Sequence, residues 1–306
     1  MKIQSVTLIG LGAVGTMYAK QIRDSLGPDI LTVCADRERI ERYRTQGIYA
    51  NGELCDFRYR SYDEVTGPSD LVIFATKYIG FPDASKAAAP CIGPDTILVS
   101  VLNGIVSEQD LEALYGPEHL LYCSVQGMDT GRVGNQVKFR QLGSISIGEK
   151  DGSRSEQLLA VRDLFDRAGI DCRLPEDILH HQWSKMMLNS GINTVTAVNN
   201  CSYDEVINNP ELLAEMTGAM REVQTVARCE GIELTDAEID EWVWLVGTLT
   251  PGTTTSMCQD VRAHRKTEIG LFSGTVVALG EKYGIPTPIN SRLCEQIREI
   301  EENYPR

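Results

Sequence analysis

A lysine and two asparagines form the most distinctive polar pattern in the chain. Lys185, Asn189 and Asn193 follow one another at intervals of four residues, so on a helix they fall within about 80° of one face. Most of their neighbours are apolar, which predicts a packed helix rather than a solvated one. A partly desolvated lysine has a lowered pKa and can donate a proton near neutral pH. The alternative is a lysine that pairs with a carboxylate at a domain interface.

A second polar cluster, TSMCQDVRAHRKTEIG, spans residues 255–270. Its basic residues are interpreted as a solvated helix face with i, i+4 pairs. Ser256 and Glu268 are harder to assign, because their separation corresponds to about 3.3 helical turns. They need not share a face of one straight helix, and a break between them stays open.

The segment VTLIGLGAVG (residues 6–15) has the pattern of a dinucleotide-binding turn. The spacing G-x-G-x-x-G follows an apolar strand and opens a helical pattern, so the glycines would allow a tight turn, close approach of a diphosphate and helix packing. The N–H groups of the helix N-terminus would then face the phosphates. We expect the cofactor at Gly10, Leu11, Gly12, Ala13, Val14 and Gly15. The alternative is a turn that serves packing alone.

The residues that should distinguish NAD from NADP are Asp36 and Arg37. Asp36 lies 21 residues after Gly15, at the end of the second predicted strand. A carboxylate there accepts the ribose hydroxyls of NAD, whereas an arginine can bind the 2′-phosphate of NADP. The pair therefore leaves both cofactors open. A third interpretation is a helix-capping aspartate followed by a solvated charge.

Two further polar residues follow predicted strands. Lys77 comes after DLVIFAT (70–76), and Asn103 comes after TILVSVL (96–102). Ligands of open α/β sheets bind outside the carboxyl ends of the strands, so we expect both residues beside the cofactor. For Asn103 and the glycine after it, a simple turn is the alternative. The sequence contains neither HExxH nor GxSxG, so we expect neither metal catalysis nor a serine nucleophile.

The elements that must position these residues differ between the two halves of the chain. Apolar, β-branched runs alternate with helical patterns in the first half, which predicts an α/β Rossmann-type doubly wound sheet. The predicted strands are 6–10, 30–35, 70–76 and 96–102. Short alternating stretches at 120–149 predict an antiparallel addition to that sheet, and a helix is expected at 153–169.

Long helical patterns replace the strands after Pro175. Helices are predicted at 176–199, 209–230, 235–246, 255–283 and 287–303. We therefore predict a dinucleotide-binding Rossmann-type domain at 1–174 and an all-α substrate and catalytic domain at 175–306.

The net charge and the cysteines restrict the class of protein. A formal charge of −14 over 306 residues opposes binding to nucleic acid or to an anionic membrane. The nine cysteines are scattered, with no Cys-x-x-Cys pair, which is typical of a reducing cytoplasm rather than of a disulfide framework or a structural zinc site. The first residues lack the features of a signal peptide, and no apolar run approaches the ~20 residues of a membrane span.

The motifs GLGAVG, ATK, VLNG, WSKMMLNSGINTVTAV, TSMCQDVRAHRKTEI and GIPTPIN occur in this order. With them the chain resembles the ketopantoate reductase (2-dehydropantoate 2-reductase) family over about residues 3–302. The resemblance implies an NAD(P)H-dependent oxidoreductase that converts 2-dehydropantoate to (R)-pantoate, a step toward pantothenate and coenzyme A. It also places Lys77 and Asn103 at the junction of cofactor and substrate.

The resemblance implies a role for each polar residue of the helical half. Lys185 would donate the proton to the keto oxygen while the nicotinamide delivers hydride to the adjacent carbon. Asn189 and Asn193 would bind and orient the substrate, and Ser256 would hold its carboxylate. Glu268 would act in the catalytic site, at the hydroxyl or carbonyl region of the substrate.

Departures from the family pattern keep other hypotheses open. The family resemblance implies NADP as the cofactor. Many members carry an arginine at the tip of the second strand, where this chain has Asp36 with Arg37 one residue later, and this departure weakens the case for NADP and leaves NAD as the alternative. After T-E-I the family commonly continues with D, whereas this chain has Gly270. An NAD-dependent D-2-hydroxyacid dehydrogenase is therefore the second hypothesis. A non-catalytic dinucleotide sensor is the third, and the intact set of polar residues argues against it. The long last helices suggest a homodimer interface.

Overall fold

The computed structural model describes residues 2–305 and divides the chain into two compact units. The first unit ends at Ile178 and the second begins at Leu179, whereas the sequence pattern predicts a boundary near residue 174. The division falls at the start of a long helix, Ile178–Asn199.

The first unit is a mixed α/β structure. Within the described residues its strands are β1 (Val6–Ile9), β2 (Leu31–Ala35), β3 (Tyr49–Ala50), β4 (Glu53–Leu54), β5 (Arg58–Ser61), β6 (Leu71–Phe74), β7 (Ile97–Ser100), β8 (Leu120–Gln126), β9 (Asp129–Val133), β10 (Gln136–Gln141), β11 (Ser144–Gly148) and β12 (Asp171–Arg173). Its helices are α1 (Ala13–Leu26), α2 (Arg37–Gln46), α3 (Phe81–Ala87), α4 (Val106–Tyr115) and α5 (Glu156–Arg167).

The central sheet confirms the predicted Rossmann-type fold. Its strand order is β12-β11-β8-β7-β6-β1-β2-β5, and the six strands from β8 to β5 are parallel. The chain order reverses between β1 and β6, which is where ligands bind in doubly wound sheets. The residues of β1, β6 and β7 are all buried, as expected for parallel strands covered on both faces.

The prediction of an antiparallel addition at 120–149 is partly wrong. β11 does pair antiparallel with β8, but β8 itself is parallel to β7. β9 and β10 leave the central sheet and form a second sheet in the order β4-β3-β10-β9. Gly127 and Gly143 allow this departure, because both have positive φ angles and a Cβ on Gly143 would lie 2.2 Å from the Gln126 carbonyl oxygen.

The second unit contains helices and no strand among its described residues. Its helices are α6 (Ile178–Asn199), α7 (Tyr203–Asn208), α8 (Pro210–Cys229), α9 (Asp236–Gly247), α10 (Ser256–Arg262), α11 (Ser273–Tyr283) and α12 (Pro288–Glu302). Helix α7 is absent from the prediction, although Ser202 and Glu205 form its capping box. Between residues 2 and 305, no helix is both long enough and apolar enough to cross a membrane.

The predicted continuous helix at 255–283 is wrong. Helix α10 ends at Arg262, His264 has a φ of +50°, and a 3₁₀ turn at Ile269–Leu271 precedes α11. The helix ends in a Schellman cap, in which His264 adopts the left-handed conformation and the Arg265 N–H donates to the Asp260 carbonyl oxygen at 2.9 Å. Beyond the cap, Glu301 of α12 accepts hydrogen bonds from the backbone N–H and the hydroxyl of Thr267, both at 2.7 Å. Ser256 and Glu268 therefore lie in different elements, a possibility that the sequence left open.

Candidate active site

The glycine turn of the first unit connects β1 to α1. Gly10 has a φ of +103°, and a Cβ there would lie 2.7 Å from the backbone of Ala75 and Thr76. A Cβ on Gly15 would lie 1.9 Å from the Gly10 carbonyl oxygen. The first glycine thus lets the turn pass close to the loop after β6, and the third lets α1 pack directly on the turn.

The N-terminus of α1 is open to an anion. Gly12 is its N-cap residue, no side chain caps the helix, and the first turn of α1 carries no acidic residue. A Cβ on Gly12 would meet only the Ala75 carbonyl oxygen, at 3.8 Å. The backbone N–H groups at the start of this 14-residue helix are therefore available to a phosphate group.

Asp36 and Arg37 both have partners inside the first unit. Asp36 caps α2 by accepting a hydrogen bond of 2.8 Å from the Arg39 N–H group, and its carboxylate also pairs with the Arg39 guanidinium at 3.0 Å. Arg37 forms an ion pair with Asp63. Of the interpretations that the sequence allows for Asp36, the helix cap is therefore the one that agrees with its contacts in this structure.

Lys77 and Asn103 follow neighbouring strands. In the register of β6 and β7, Phe74 pairs with Ser100, so the loops that contain Lys77 and Asn103 leave the sheet at the same edge. Lys77 is exposed and Asn103 is half-buried. Both loops follow the carboxyl ends of their strands, as the sequence predicts, and they lie on the β6 side of the point where the strand order reverses.

A buried carboxylate close to Asn103 in the chain was not predicted. Glu108 is 1% exposed, and it accepts a hydrogen bond of 2.8 Å from the Ser107 hydroxyl. That hydroxyl also bonds to Ser100 at 2.8 Å, so the chain of contacts joins the end of β7 to the start of α4. Because a buried carboxylate is costly unless it is hydrogen-bonded or paired, this cluster restrains the loop of Asn103. The only feature of the sequence that could have revealed this buried carboxylate is the position of the glutamate on the inward face of α4.

Arg132 is a second residue that the sequence did not indicate. Its Nη1 donates a hydrogen bond to the Leu11 carbonyl oxygen of the glycine turn, and its Nε donates to Gly134 at 2.7 Å. The contact joins residues 121 positions apart, so no local pattern could have revealed it. Arg132 brings a positive charge to the glycine turn.

In the second unit, α6 carries the polar stripe as predicted from the residue spacing. Asn189 and Asn193 are each 8% exposed, and Lys185 is half-buried. Ser190 and Thr194 are fully buried, so the stripe belongs to a packed helix.

Two hydroxyl contacts tie the second polar cluster to α6. Thr255, the N-cap of α10, bonds to Thr196 at 2.7 Å, which places Ser256 one residue from an anchor on α6. Ser273 bonds to Thr194 at 3.2 Å. Glu268 precedes the 3₁₀ turn that leads to Ser273. The segments of Ser256 and Glu268 are thus each fixed close to the helix that carries the polar stripe.

No group of three or more His, Cys, Asp or Glu residues that could hold a metal ion occurs among residues 2–305. The polar groups that the structure positions are instead a lysine, amides, hydroxyls and single carboxylates.

Family models match both halves of the chain. Residues 6–152 match the model described as "Ketopantoate reductase PanE/ApbA", and residues 177–301 match "Ketopantoate reductase PanE/ApbA C terminal". The 2-dehydropantoate 2-reductase of Streptococcus pyogenes serotype M3 is 27% identical over 300 residues, which cover 96% of each chain.

Solved structures share the fold over nearly the whole chain. A D-mandelate dehydrogenase in a ternary structure with NADH and anilino(oxo)acetate superposes with a TM-score of 0.85 at 22% identity, covering 97% of this chain and 98% of that one. A dimeric ketopantoate reductase from Staphylococcus aureus gives a TM-score of 0.80 at 21% identity, covering 98% of both chains.

Proposed function

Because the chain belongs to the ketopantoate reductase family, we propose that it reduces 2-dehydropantoate to (R)-pantoate with a nicotinamide dinucleotide, preferably NADPH. The observation that carries the proposal is the stripe of Lys185, Asn189 and Asn193 on a packed helix, α6. The 2-dehydropantoate 2-reductase relative aligns over both units. As a member of this family the chain is an oxidoreductase that acts on a CH–OH group.

The first unit has the features that a dinucleotide requires. The glycine turn from Gly10 to Gly15 and the uncapped start of α1 would hold the diphosphate through backbone N–H groups. Lys77 and Asn103 would contact the cofactor near the substrate, because their loops leave the carboxyl edge of the sheet. When bound, the reduced nicotinamide would supply the hydride.

Lys185 would donate the proton from its Nζ atom to the keto oxygen. Reduction of a ketone creates negative charge on this oxygen in the transition state, so an ammonium group stabilises the charge where it develops. The same group can then complete the reaction as a general acid. The partial burial of Lys185 removes part of the water that would otherwise weaken this interaction.

The remaining polar residues of the second unit would bind and orient the keto acid. The buried amides of Asn189 and Asn193 each offer two N–H donors to carbonyl or hydroxyl oxygens. The Ser256 hydroxyl would donate to the substrate carboxylate, and Glu268 would accept a hydrogen bond from a substrate hydroxyl. These contacts would orient the keto carbon for hydride transfer.

An NAD-dependent D-2-hydroxyacid dehydrogenase is the second candidate function. Two observations favour it: the carboxylate of Asp36 at the end of β2, and the fold shared with a D-mandelate dehydrogenase whose structure contains NADH. This enzyme would use the same residues on a 2-keto acid with a different side chain.

We also propose that the protein is a dimer and is located in the cytoplasm. The dimeric ketopantoate reductase of Staphylococcus aureus shares the fold, and all nine cysteines of this chain are without disulfides. Sedimentation velocity would show whether the chain sediments as a dimer.

Initial-rate measurements with a panel of substrates test the proposal. The panel consists of 2-dehydropantoate, branched aliphatic 2-keto acids and phenylglyoxylate, each with NADPH and with NADH. We expect the highest kcat/KM for 2-dehydropantoate. A clear preference for another 2-keto acid with NADH would favour the second candidate. Tight dinucleotide binding with no reduction of any keto acid would indicate the non-catalytic sensor.

A further inference from the structure

Two contacts join α6 to α9 in the half of α6 that carries Lys185. The Trp242 indole N–H donates a hydrogen bond of 3.0 Å to the Ser184 hydroxyl, and His180 Nε2 lies 3.3 Å from Glu238 Oε1. The two residues on each helix are four positions apart, so they share one face of that helix. Both contacts advance in the chain direction on both helices, so the helices run parallel here. We call these four residues the α6–α9 seam.

The start of α9 is itself held in place. Thr235 and Glu238 form a capping box, in which Glu238 Oε2 accepts hydrogen bonds from the Thr235 N–H and hydroxyl at 2.8 and 3.0 Å. Gln224 of α8 donates from Nε2 to Asp236 Oδ1 at 3.1 Å. One oxygen of Glu238 thus fixes the start of α9, and the other lies next to His180. Helix α9 therefore offers α6 a surface of fixed position.

The other half of α6 is fixed by different contacts. Thr194 bonds to Ser273 at 3.2 Å, and Thr196 bonds to Thr255 at 2.7 Å. Lys185 precedes Thr194 by nine residues, which is about 14 Å along the helix axis. Because these hydroxyl contacts lie so far along the helix, the orientation of the half with Lys185 depends on the α6–α9 seam.

Lys185 lies beside the seam and outside it. It directly follows Ser184, so its side chain leaves the helix about 100° around the axis from the Ser184 side chain. The seam and the stripe of Lys185, Asn189 and Asn193 therefore occupy different faces of α6. Because a lysine Nζ stands several ångströms from the helix axis, a small rotation of α6 would displace it. A displacement of about 1 Å can reduce a reaction rate by about 100-fold.

We propose that Trp242 and Glu238 are positioning residues for the proton donor Lys185. Through Ser184 and His180 they set the rotation of α6, and this rotation directs the lysine Nζ toward the keto oxygen. The inference rests on the proposed function for the role of Lys185. Trp242 is suited to this task because its indole N–H is a donor of fixed direction on a half-buried ring. The hydrogen bond therefore holds Ser184 in one orientation.

Steady-state kinetics of Trp242→Phe tests the positioning role, because phenylalanine keeps an aromatic ring and removes the N–H donor. With the best keto acid of the substrate panel, kcat should fall by about tenfold or more, whereas KM and the Kd for NADPH should stay near their wild-type values. Ser184→Ala removes the acceptor and should cause the same fall, and the double variant should be no slower than either single variant. Trp244→Phe is the matched control on the same helix. Trp244 is 70% exposed, so this variant should keep wild-type kinetics.

The same substitution in a Lys185→Ala background separates positioning from a general structural effect. A residue that acts through Lys185 has no proton donor left to position in this background. Trp242→Phe should therefore leave the residual turnover of Lys185→Ala unchanged. An equal fall of kcat in both backgrounds would show that Trp242 supports the second unit without acting through the lysine, and this result would overturn the inference. A rise in KM at unchanged kcat would also overturn it, because it would mean that Trp242 contacts the substrate.

The inference and the proposed function can be told apart by the single variants. If Lys185→Ala keeps wild-type turnover, the proposed proton donor is wrong, and the positioning role is refuted with it. If Lys185→Ala loses turnover while Trp242→Phe and Ser184→Ala keep it, the proton donor is supported and only the positioning role of the α6–α9 seam is refuted.

Discussion

At the scale of single residues, Asp36 shows how one carboxylate can be read in two ways. Its position after β2 is typical of a residue that binds the ribose of NAD. In the structure its oxygens bind the Arg39 N–H group and the Arg39 guanidinium instead. A residue that caps a helix contributes mainly to stability.

Replacing Asp36 distinguishes the two roles. Asp36→Ala removes the cap and should lower the free energy of unfolding by about 1 kcal/mol, whereas Asp36→Asn keeps an N-cap acceptor and should cost only a few tenths. Urea denaturation followed by circular dichroism measures both values. If Asp36→Ala were as stable as wild type but lost affinity for NADH, Asp36 would be a ribose ligand rather than a cap.

Glu301 provides a second prediction at this scale. Burial by itself would raise the pKa of its carboxyl, but hydrogen bonds from Lys266, the Thr267 N–H and the Thr267 hydroxyl outweigh burial and hold the pKa below its usual range. A carboxylate whose pKa is lowered by folding stabilises the protein at pH values above the unfolded pKa. This stabilisation is lost as the pH falls through the folded pKa.

Glu301→Gln should therefore melt at a lower temperature than wild type at pH 7, by several °C. The difference should shrink as the pH falls below about 4.3, the ordinary glutamate pKa. Thermal melts between pH 7 and pH 3 measure it, and Glu302→Gln, at an exposed neighbouring position, is the control. A difference that stays constant across this range would show that the ionised carboxylate is not the stabilising form.

At the scale of elements, two glycines of the same turn have different surroundings: Gly15 is tightly packed, whereas Gly12 faces open space where the diphosphate would bind. A Cβ on Gly15 would collide with the Gly10 carbonyl oxygen at 1.9 Å, whereas a Cβ on Gly12 has only a contact at 3.8 Å. The two positions are three residues apart and should respond differently to the same added methyl group.

We expect Gly15→Ala to destabilise the protein by about 1–3 kcal/mol, as overpacking does, even though alanine favours a helix. Gly12→Ala should change stability by less than about 1 kcal/mol but weaken NADPH binding, because its methyl group occupies the surface offered to the diphosphate. Thermal melts and NADPH titration compare the two variants. The opposite ranking of their stabilities would refute the assignment of the third glycine to packing.

The elements also show what the sequence could predict. The buried β-branched runs of β1, β6 and β7 and the glycine spacing are local patterns, so they identified the parallel sheet and the turn. The path of the β9–β10 hairpin depends on the pairing of β10 with β3, and the path of the segment after α10 depends on the contact of Thr267 with Glu301, 34 residues later. Contacts over such distances have no signature in a local pattern.

The same distinction applies to the candidate site. Lys185, Asn189 and Asn193 share one helix, so their common face follows from spacing alone. Arg132 reaches the turn at Leu11 from a hairpin in the second sheet, and Glu108 is recognisable only once its burial is known. The sequence therefore indicated residues that stand out by local spacing or by following a strand, and it missed Arg132 and Glu108, whose contacts or burial depend on the folded structure.

At the scale of the whole molecule, the chain divides the proposed reaction between its two units. In this proposal, the first unit would supply the turn for the hydride carrier, and the second would supply the proton donor and the amides that orient the substrate. The family models follow the same division, with one model matching each half.

Turnover of a Lys185→Ala variant tests most directly whether this chain is a 2-keto acid reductase that uses a lysine proton donor. With the best keto acid of the substrate panel and saturating cofactor, kcat should fall by about 10²–10⁴-fold, while the Kd for NADPH should stay nearly unchanged. Lys282→Ala, which removes a lysine paired with Glu230 at 2.9 Å, is the control and should keep full turnover. Wild-type turnover by Lys185→Ala would contradict the assignment of Lys185 as the general acid.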